Sequence, residues 1–178
     1  SPCIIFTCSW SDFFHPDADR LRSSAWDVIR RTPRHRYLIL TKRPAEILEA
    51  LPKDWGEGWP HVWLGVTVES QDFLFRLSIL DSVPCKHRFV SHEPALGQAF
   101  WSSSNFQIDW LLDGGESGPG SRPAKEEWFS YNLGYCRASA IPYFHKQNGG
   151  SLYINGFAGG NKLDGQVYQE FPREFDPI

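Results

Sequence analysis

Val62-Trp63-Leu64-Gly65-Val66-Thr67-Val68, followed at once by Glu69-Ser70, is the stretch that decides how this chain folds. It is almost wholly apolar, rich in β-branched and aromatic residues, and too short for a buried helix. A strand of this kind is covered on both faces, which is the condition of a parallel sheet. Its abrupt stop places a carboxylate at the carboxyl end of the strand. In barrels and open α/β sheets, that is the end where sites are built.

Working outward, the same pattern recurs along the chain. Ile4-Ile5-Phe6 stops at Ser9 to Asp12, Tyr37 to Leu40 at Thr41-Lys42-Arg43, and Arg88 to Val90 at Ser91-His92-Glu93. Ile108 to Leu112 stops at Gly114-Gly115-Glu116-Ser117, and Ile141 to Phe144 at His145-Lys146-Gln147. Helical segments separate the runs. Leu21, Ala25, Val28 and Ile29 share a face after Pro16-Asp17, with Arg20, Arg22, Arg30 and Arg31 on the other faces, and Thr32-Pro33 ends that helix. Pro44 opens a short helix to Leu51, Ser70 is placed to cap one carrying Phe73, Leu77 and Leu80, and another covers residues 124–140. Strand alternating with helix predicts an α/β fold with about six parallel strands: a partial or complete TIM-like barrel, or an open doubly wound sheet. One domain spans residues 1–178, and the Gly- and Asn-rich stretch 148–178 is an irregular tail of loops and a small hairpin. An incomplete barrel has open strand edges, which the tail, an N-terminal fragment or a second copy of the chain is expected to cover.

A chain of 178 residues with 41% apolar and 22% charged residues can bury one sizeable core. Most of the eight Trp and thirteen Phe are expected inside it. The formal charge of −3 argues against a general nucleic-acid coat, so any such site must be local. No apolar run approaches the ~18–20 residues of a membrane span, and no signal peptide is visible, so a cytoplasmic location is expected. Cys3, Cys8, Cys85 and Cys136 match no zinc or cluster spacing and are expected as buried thiols. The lack of Met points to a trimmed or partial product.

Glu69, Glu93 and Glu116 follow strands at equivalent places, suited to acid–base work, to ribose or amino groups, or to a metal; alternatively each caps or faces solvent. Lys42, Arg43, Lys146 and Gln147 offer a phosphate site, or salt bridges to those glutamates. Asp12 polarises a substrate group or caps a turn, and His92 is an acid–base group, a ligand or a packing residue. The glycines of 113–123 can turn successive N–H groups toward an anion, with Arg122 as a pairing cation; the alternative is a flexible surface loop. Their spacing is neither a Walker A loop nor G-x-G-x-x-G, and no G-x-S-x-G or H-E-x-x-H occurs.

Ser11-Asp12-Phe13-Phe14-His15, Leu40-Thr41-Lys42-Arg43-Pro44, Val62 to Glu69, Arg88-Phe89-Val90-Ser91-His92-Glu93-Pro94, Gly114 to Gly118 and Phe144-His145-Lys146-Gln147 occur in this order. Together they resemble the uncharacterised, phage-associated three-Cys-motif family, which is similar to radical S-adenosylmethionine enzymes. The resemblance runs on to Leu163-Asp164-Gly165 and Glu170-Phe171-Pro172. It implies a radical-SAM-like barrel with its site at the strand ends, S-adenosylmethionine as cofactor, and an iron–sulfur cluster on an N-terminal cysteine triplet. This chain lacks that triplet, and Cys3 and Cys8 do not replace it. It would therefore be the barrel portion of such an enzyme, or a descendant without a cluster. Carried over, the roles are catalytic for Asp12, Lys42, Glu93 and Lys146, and cofactor-binding for Glu69, Gly114, Gly115, Glu116 and Ser117. Arg43, His92, Arg122 and Gln147 would bind a nucleotide or nucleic-acid substrate, and no protein-bound metal ion is assigned. The alternatives are a non-catalytic module binding nucleotide, nucleic acid or protein, and a metal-dependent hydrolase using Glu69, His92, Glu93 and Glu116.

Overall fold

Strand order along the sheet is strand order along the chain. The strands β1 (Ile4–Thr7), β2 (Arg36–Thr41), β3 (Val62–Thr67), β4 (His87–His92), β5 (Trp110–Asp113) and β6 (Tyr143–His145) are neighbours in that sequence, and every pair is parallel. The computed structural model describes residues 1–103 and 105–175; Ser104 of the irregular stretch and 176–178 of the tail lie outside them. A parallel sheet that never reverses its order has no doubly wound switch point. Among the described residues it forms a half-barrel, the partial form of the expected barrel, with β1 and β6 as its outer strands.

Strand side chains alternate between two faces. Ile39, Leu64, Val66, Val90, Leu111 and Tyr143 point to the helix-covered side and join the main core. Leu38, Trp63, Phe89 and Trp110 form a second, smaller cluster on the other face, with Leu40, Leu112, Phe144 and Phe175 packed against them. The helices are α1 (Asp19–Arg31), α2 (Ile47–Ala50), α3 (Phe75–Asp81) and α4 (Glu126–Ser139), and short 3-10 turns lead into the first three.

Two local expectations are corrected. The buried face of α1 is Trp26 and Ile29, while Leu21 and Val28 are exposed. Trp26 has the largest apolar surface on the helix, and it turns inward against Phe13, Trp55 and Trp59. This brings Arg22 off the solvated faces, and its guanidinium donates to the carbonyls of Phe13 and His15. Ser70 precedes the 3-10 turn before α3, but its hydroxyl makes no capping bond. At the far end of α3 the buried Arg88 donates to the carbonyls of Val83 and Cys85 and to the Gln107 side chain, tying that end to the β4–β5 crossover.

The tail is more ordered than a set of loops. It forms two hairpins, β7 (Tyr153–Ile154) with β8 (Phe157–Ala158), and β9 (Lys162–Leu163) with β10 (Gln166–Val167). It then runs antiparallel along β6: His145 N–H donates to Tyr168 O, and Glu170 N–H donates to Tyr143 O. Phe171 and Phe175 fold back onto Trp110, and Phe175 also meets Trp63. The tail thus takes one sheet edge and the lower part of the inner face. Ile4 and Phe6, on the β1 edge, are exposed.

All four cysteines are free, and Cys3 and Cys8 are exposed rather than buried as expected. Both lie at the ends of the edge strand, where little packs over them. Burial pushes the Cys85 thiol up to about 11 and also raises Cys136. Among the described residues no helix is long and apolar enough to cross a membrane.

Candidate functional site

A cleft of about 780 Å³ opens at the carboxyl ends of the strands, on the inner face. Phe6, Leu40, Phe89 and Leu112 give it an apolar floor. Above the floor stand hydroxyls of Ser9, Ser11, Thr41, Thr67 and Ser91, and the charged groups Asp12, Lys42, Glu93 and Lys146. Cys8 and Trp10 complete one wall, and Trp10 is fully exposed. Gly65 makes room for one of the floor rings. A Cβ there would sit 2.5 Å from the Phe89 ring, so the ring keeps this position only beside a glycine.

The two-residue period explains which polar residues reach the cleft. Lys42, Glu93 and Lys146 continue the inward-facing rows of Leu40, Phe89-Ser91 and Phe144 past the strand ends. His92, Asp113, His145 and Gln147 have the opposite parity. All four are buried, and none lines the cleft.

Of the expected residues, Asp12, Lys42, Glu93 and Lys146 are brought together around the cleft. Asp12 also secures the corner between β1 and β2. Its carboxylate accepts from the Thr41 hydroxyl at 2.7 Å and from the N–H groups of Phe14 at 2.9 Å and Lys42 at 3.0 Å. Lys146 Nζ lies 2.7 Å from Glu93 Oε1. Glu69 is buried behind the rim, with Lys42 Nζ 2.5 Å from one oxygen and Arg76 Nη1 2.7 Å from the other. Arg43 is exposed beside the cleft, and its backbone N–H donates to Thr41 Oγ1.

Three N–H groups of the glycine segment are engaged by backbone carbonyls rather than turned toward an anion. Gly114 N–H donates to His92 O, Gly115 N–H to Gln147 O, and Gly118 N–H to Gly150 O. These bonds, and a parallel bridge between Ser117 and Gly150, extend the sheet one step beyond β5 and β6. Gly115 is there for close packing, since a Cβ on it would run into the Asn148 carbonyl, whereas Gly118 has open space around it and a positive φ. Glu116 is held by the guanidinium and backbone N–H of Arg122, which lower its carboxyl to about 2. Gln147 donates to Gly115 O and accepts from Ala158 N–H. Gly114, Gly115, Glu116, Ser117, Arg122 and Gln147 therefore do not line the cleft.

His92 belongs to a buried polar chain that sequence reasoning missed. Trp101 Nε1–H donates to Asn132 Oδ1 at 2.7 Å, which orients the amide. Asn132 Nδ2 then donates to His92 Nδ1 at 3.0 Å and Asp113 Oδ2 at 3.1 Å, and His92 Nε2–H donates to Gly97 O at 2.9 Å. His92 is thus neutral, and burial lowers its pKa. Asp113 also accepts from the Tyr143 hydroxyl and from His145 Nδ1–H, the latter at 2.6 Å. Asn148 gives its N–H to Gly159 O, so its Oδ1 faces His145 Nε2 at 2.9 Å and needs a second ring proton. His145 is accordingly an imidazolium paired with Asp113. Burial opposes that charge, but the hydrogen bond and charge of Asp113 outweigh it and raise the pKa. Asn132 on α4 was the least visible member, because an Asn in a helix carries no spacing signal of its own.

The cysteines do not fit an iron–sulfur cluster, which needs a convergent set of thiolates. Cys3 bonds to His35, Cys8 lies in the cleft, Cys85 follows α3 and Cys136 is buried in α4. Fold and site together define an α/β half-barrel protein with a cleft at its strand carboxyl ends. The chain belongs to the family described as Protein of unknown function (DUF5131), whose model matches residues 1–172. Neither the curated proteins nor the solved structures give a match.

Proposed function

We propose that the cleft binds a nucleoside-type ligand, and that the chain is the cofactor- and substrate-binding portion of a cytoplasmic, radical-S-adenosylmethionine-like enzyme of the TIM-barrel type acting on a nucleotide or nucleic acid. The observation that carries this reading is the cleft's make-up: an apolar, aromatic floor under a ring of hydroxyls, carboxylates and lysines. A heterocycle would lie against Phe6, Phe89 and Trp10, and Asp12 and Glu93 would accept hydrogen bonds from ribose hydroxyls. S-adenosylmethionine, when bound, supplies an activated sulfonium group. The residues of this chain would bind and orient it and hold water out of the apolar floor. The cysteines of this chain do not converge and would not hold an iron–sulfur cluster. That scatter favours a second reading, a binding module of the same cleft without redox chemistry. A hydrolase built on Glu69, His92, Glu93 and Glu116 is disfavoured, because His92 is on the far face of the sheet and Glu116 is held by Arg122. On either favoured reading, the exposed β1 edge would receive a strand from an N-terminal fragment or a second copy.

Cys8 offers a direct test. In a Cys3→Ser background it is the exposed thiol, and it lines the cleft. S-adenosylmethionine or AMP should slow maleimide labelling of Cys8 and give saturable heat in calorimetry, and labelled protein should lose that heat. Unchanged labelling with no heat would defeat the proposal. Anaerobic reconstitution with iron and sulfide separates the two readings. Cluster absorbance with release of 5′-deoxyadenosine on reduction supports the enzyme, and a colourless protein that still binds ligand supports the module.

A further inference from the structure

We infer that Lys42, and not Lys146, is the anchor for an oxyanion carried by the ligand of this cleft. The inference rests on the nucleoside reading above and adds where the ligand's negative charge sits. Both lysines are half-exposed and ion-paired, but their pairs differ. Glu69 already has a full counter-charge in Arg76. That guanidinium is nearly buried, lies against the Phe73 ring at 4.4 Å, and also donates to Thr67 O at 2.8 Å. With Lys42 added, the group holds two cations and one carboxylate, a surplus of one positive charge. Lys146 and Glu93 sum to zero.

The consequence is a difference in mobility. Lys42 can swing from Glu69 to a ligand and leave the buried carboxylate still paired with Arg76. If Lys146 left Glu93, that carboxylate would keep, among the described residues, only Gln147 Nε2, at 3.5 Å. Breaking a partly buried pair is costly, whereas moving a surplus cation is not. Asp12, the other carboxylate of the cleft, keeps its negative charge, but it is tied down by the Thr41 hydroxyl and two backbone N–H groups and, among the described residues, forms no ion pair with Lys42. The surplus charge stands above an apolar floor and beside the Thr67 and Ser91 hydroxyls, where the low-dielectric wall strengthens its pull on an anion. A phosphate monoester and an amino-acid carboxylate share this chemistry.

Two ligand pairs separate these sources: AMP against adenosine, and S-adenosylmethionine against its decarboxylated form. Calorimetry on the wild-type chain should show at least one oxyanion-bearing member binding about 10-fold tighter than its counterpart, the scale of one charge-assisted hydrogen bond. That advantage should vanish in Lys42→Met, survive in Lys42→Arg, and persist in Lys146→Met. The melting temperature of Lys42→Met should match wild type, since Glu69 keeps Arg76. An advantage in the AMP pair identifies phosphate, and one in the other pair identifies carboxylate. Equal binding within both pairs, or an advantage that Lys42→Met leaves intact, overturns the inference while the cleft reading stands. If none of the four ligands binds or protects Cys8, both fail.

Discussion

Asp113 and His145 are adjacent across β5 and β6, and both are fully buried. Their hydrogen bonds require a charged imidazole inside the protein, and that makes stability depend on pH. The folded-state pKa of His145 is raised above 6.5. Its contribution is therefore complete below 6.5 and is lost as pH rises through the folded value. His92 has the opposite sign: burial lowers its pKa, so stability falls as pH drops below 6.5. Urea unfolding across this range should show a maximum near neutrality. Asp113→Ala should lose about 3–5 kcal/mol, because it strands a buried cation, and should abolish the decline on the alkaline side. An unchanged alkaline limb would remove His145 as its source. The residue types of this chain were legible as strand-end groups, but not their roles. Lys42 and His92 both follow apolar runs, and only the strand parity sends one to the cleft and the other to the core.

At the scale of the element, the loop after β5 shows how a glycine-rich signal can mislead. Close approach of backbone to ligand and close approach of backbone to backbone need the same residue. Here the partner is the 148–150 segment, which sequence order places far from the loop. Gly115→Ala should cost about 1–3 kcal/mol through collision with the Asn148 carbonyl, as in other overpacked sites. Gly118→Ala meets nothing with its Cβ and should cost about 1 kcal/mol through its positive φ alone. Thermal melts of the two variants check the order, and equal losses would show that packing is not what Gly115 serves. The helices were read with similar partial success. The positions of α1 and α4 follow from periodicity and prolines, but the inward face of α1 is set by Trp26 finding Trp55 and Trp59, which lie beyond β2.

At the scale of the molecule, the tail is part of the fold. It covers the β6 edge with main-chain hydrogen bonds and sends Phe175 between Trp63 and Trp110. Phe175→Ala should cost about 2 kcal/mol, less than a fully buried Phe because the ring is partly exposed. Tryptophan emission should shift to the red as water reaches Trp63 and Trp110, and emission like wild type would mean that the ring does not shield them.

The sequence by itself determined the parallel α/β class, the six strands to within about two residues at each end, and the gathering of charge at their carboxyl ends. Those properties depend on near neighbours: apolar runs, turn residues and a period of two. The tertiary structure alone decided the half-barrel, the inward set of rim residues, the internal use of the glycine loop, and the surplus charge at Lys42. Each of these depends on a contact between residues far apart in the chain, such as Lys42 with Glu69 and Arg76, or Gly115 with Asn148, for which no local pattern supplies a signal.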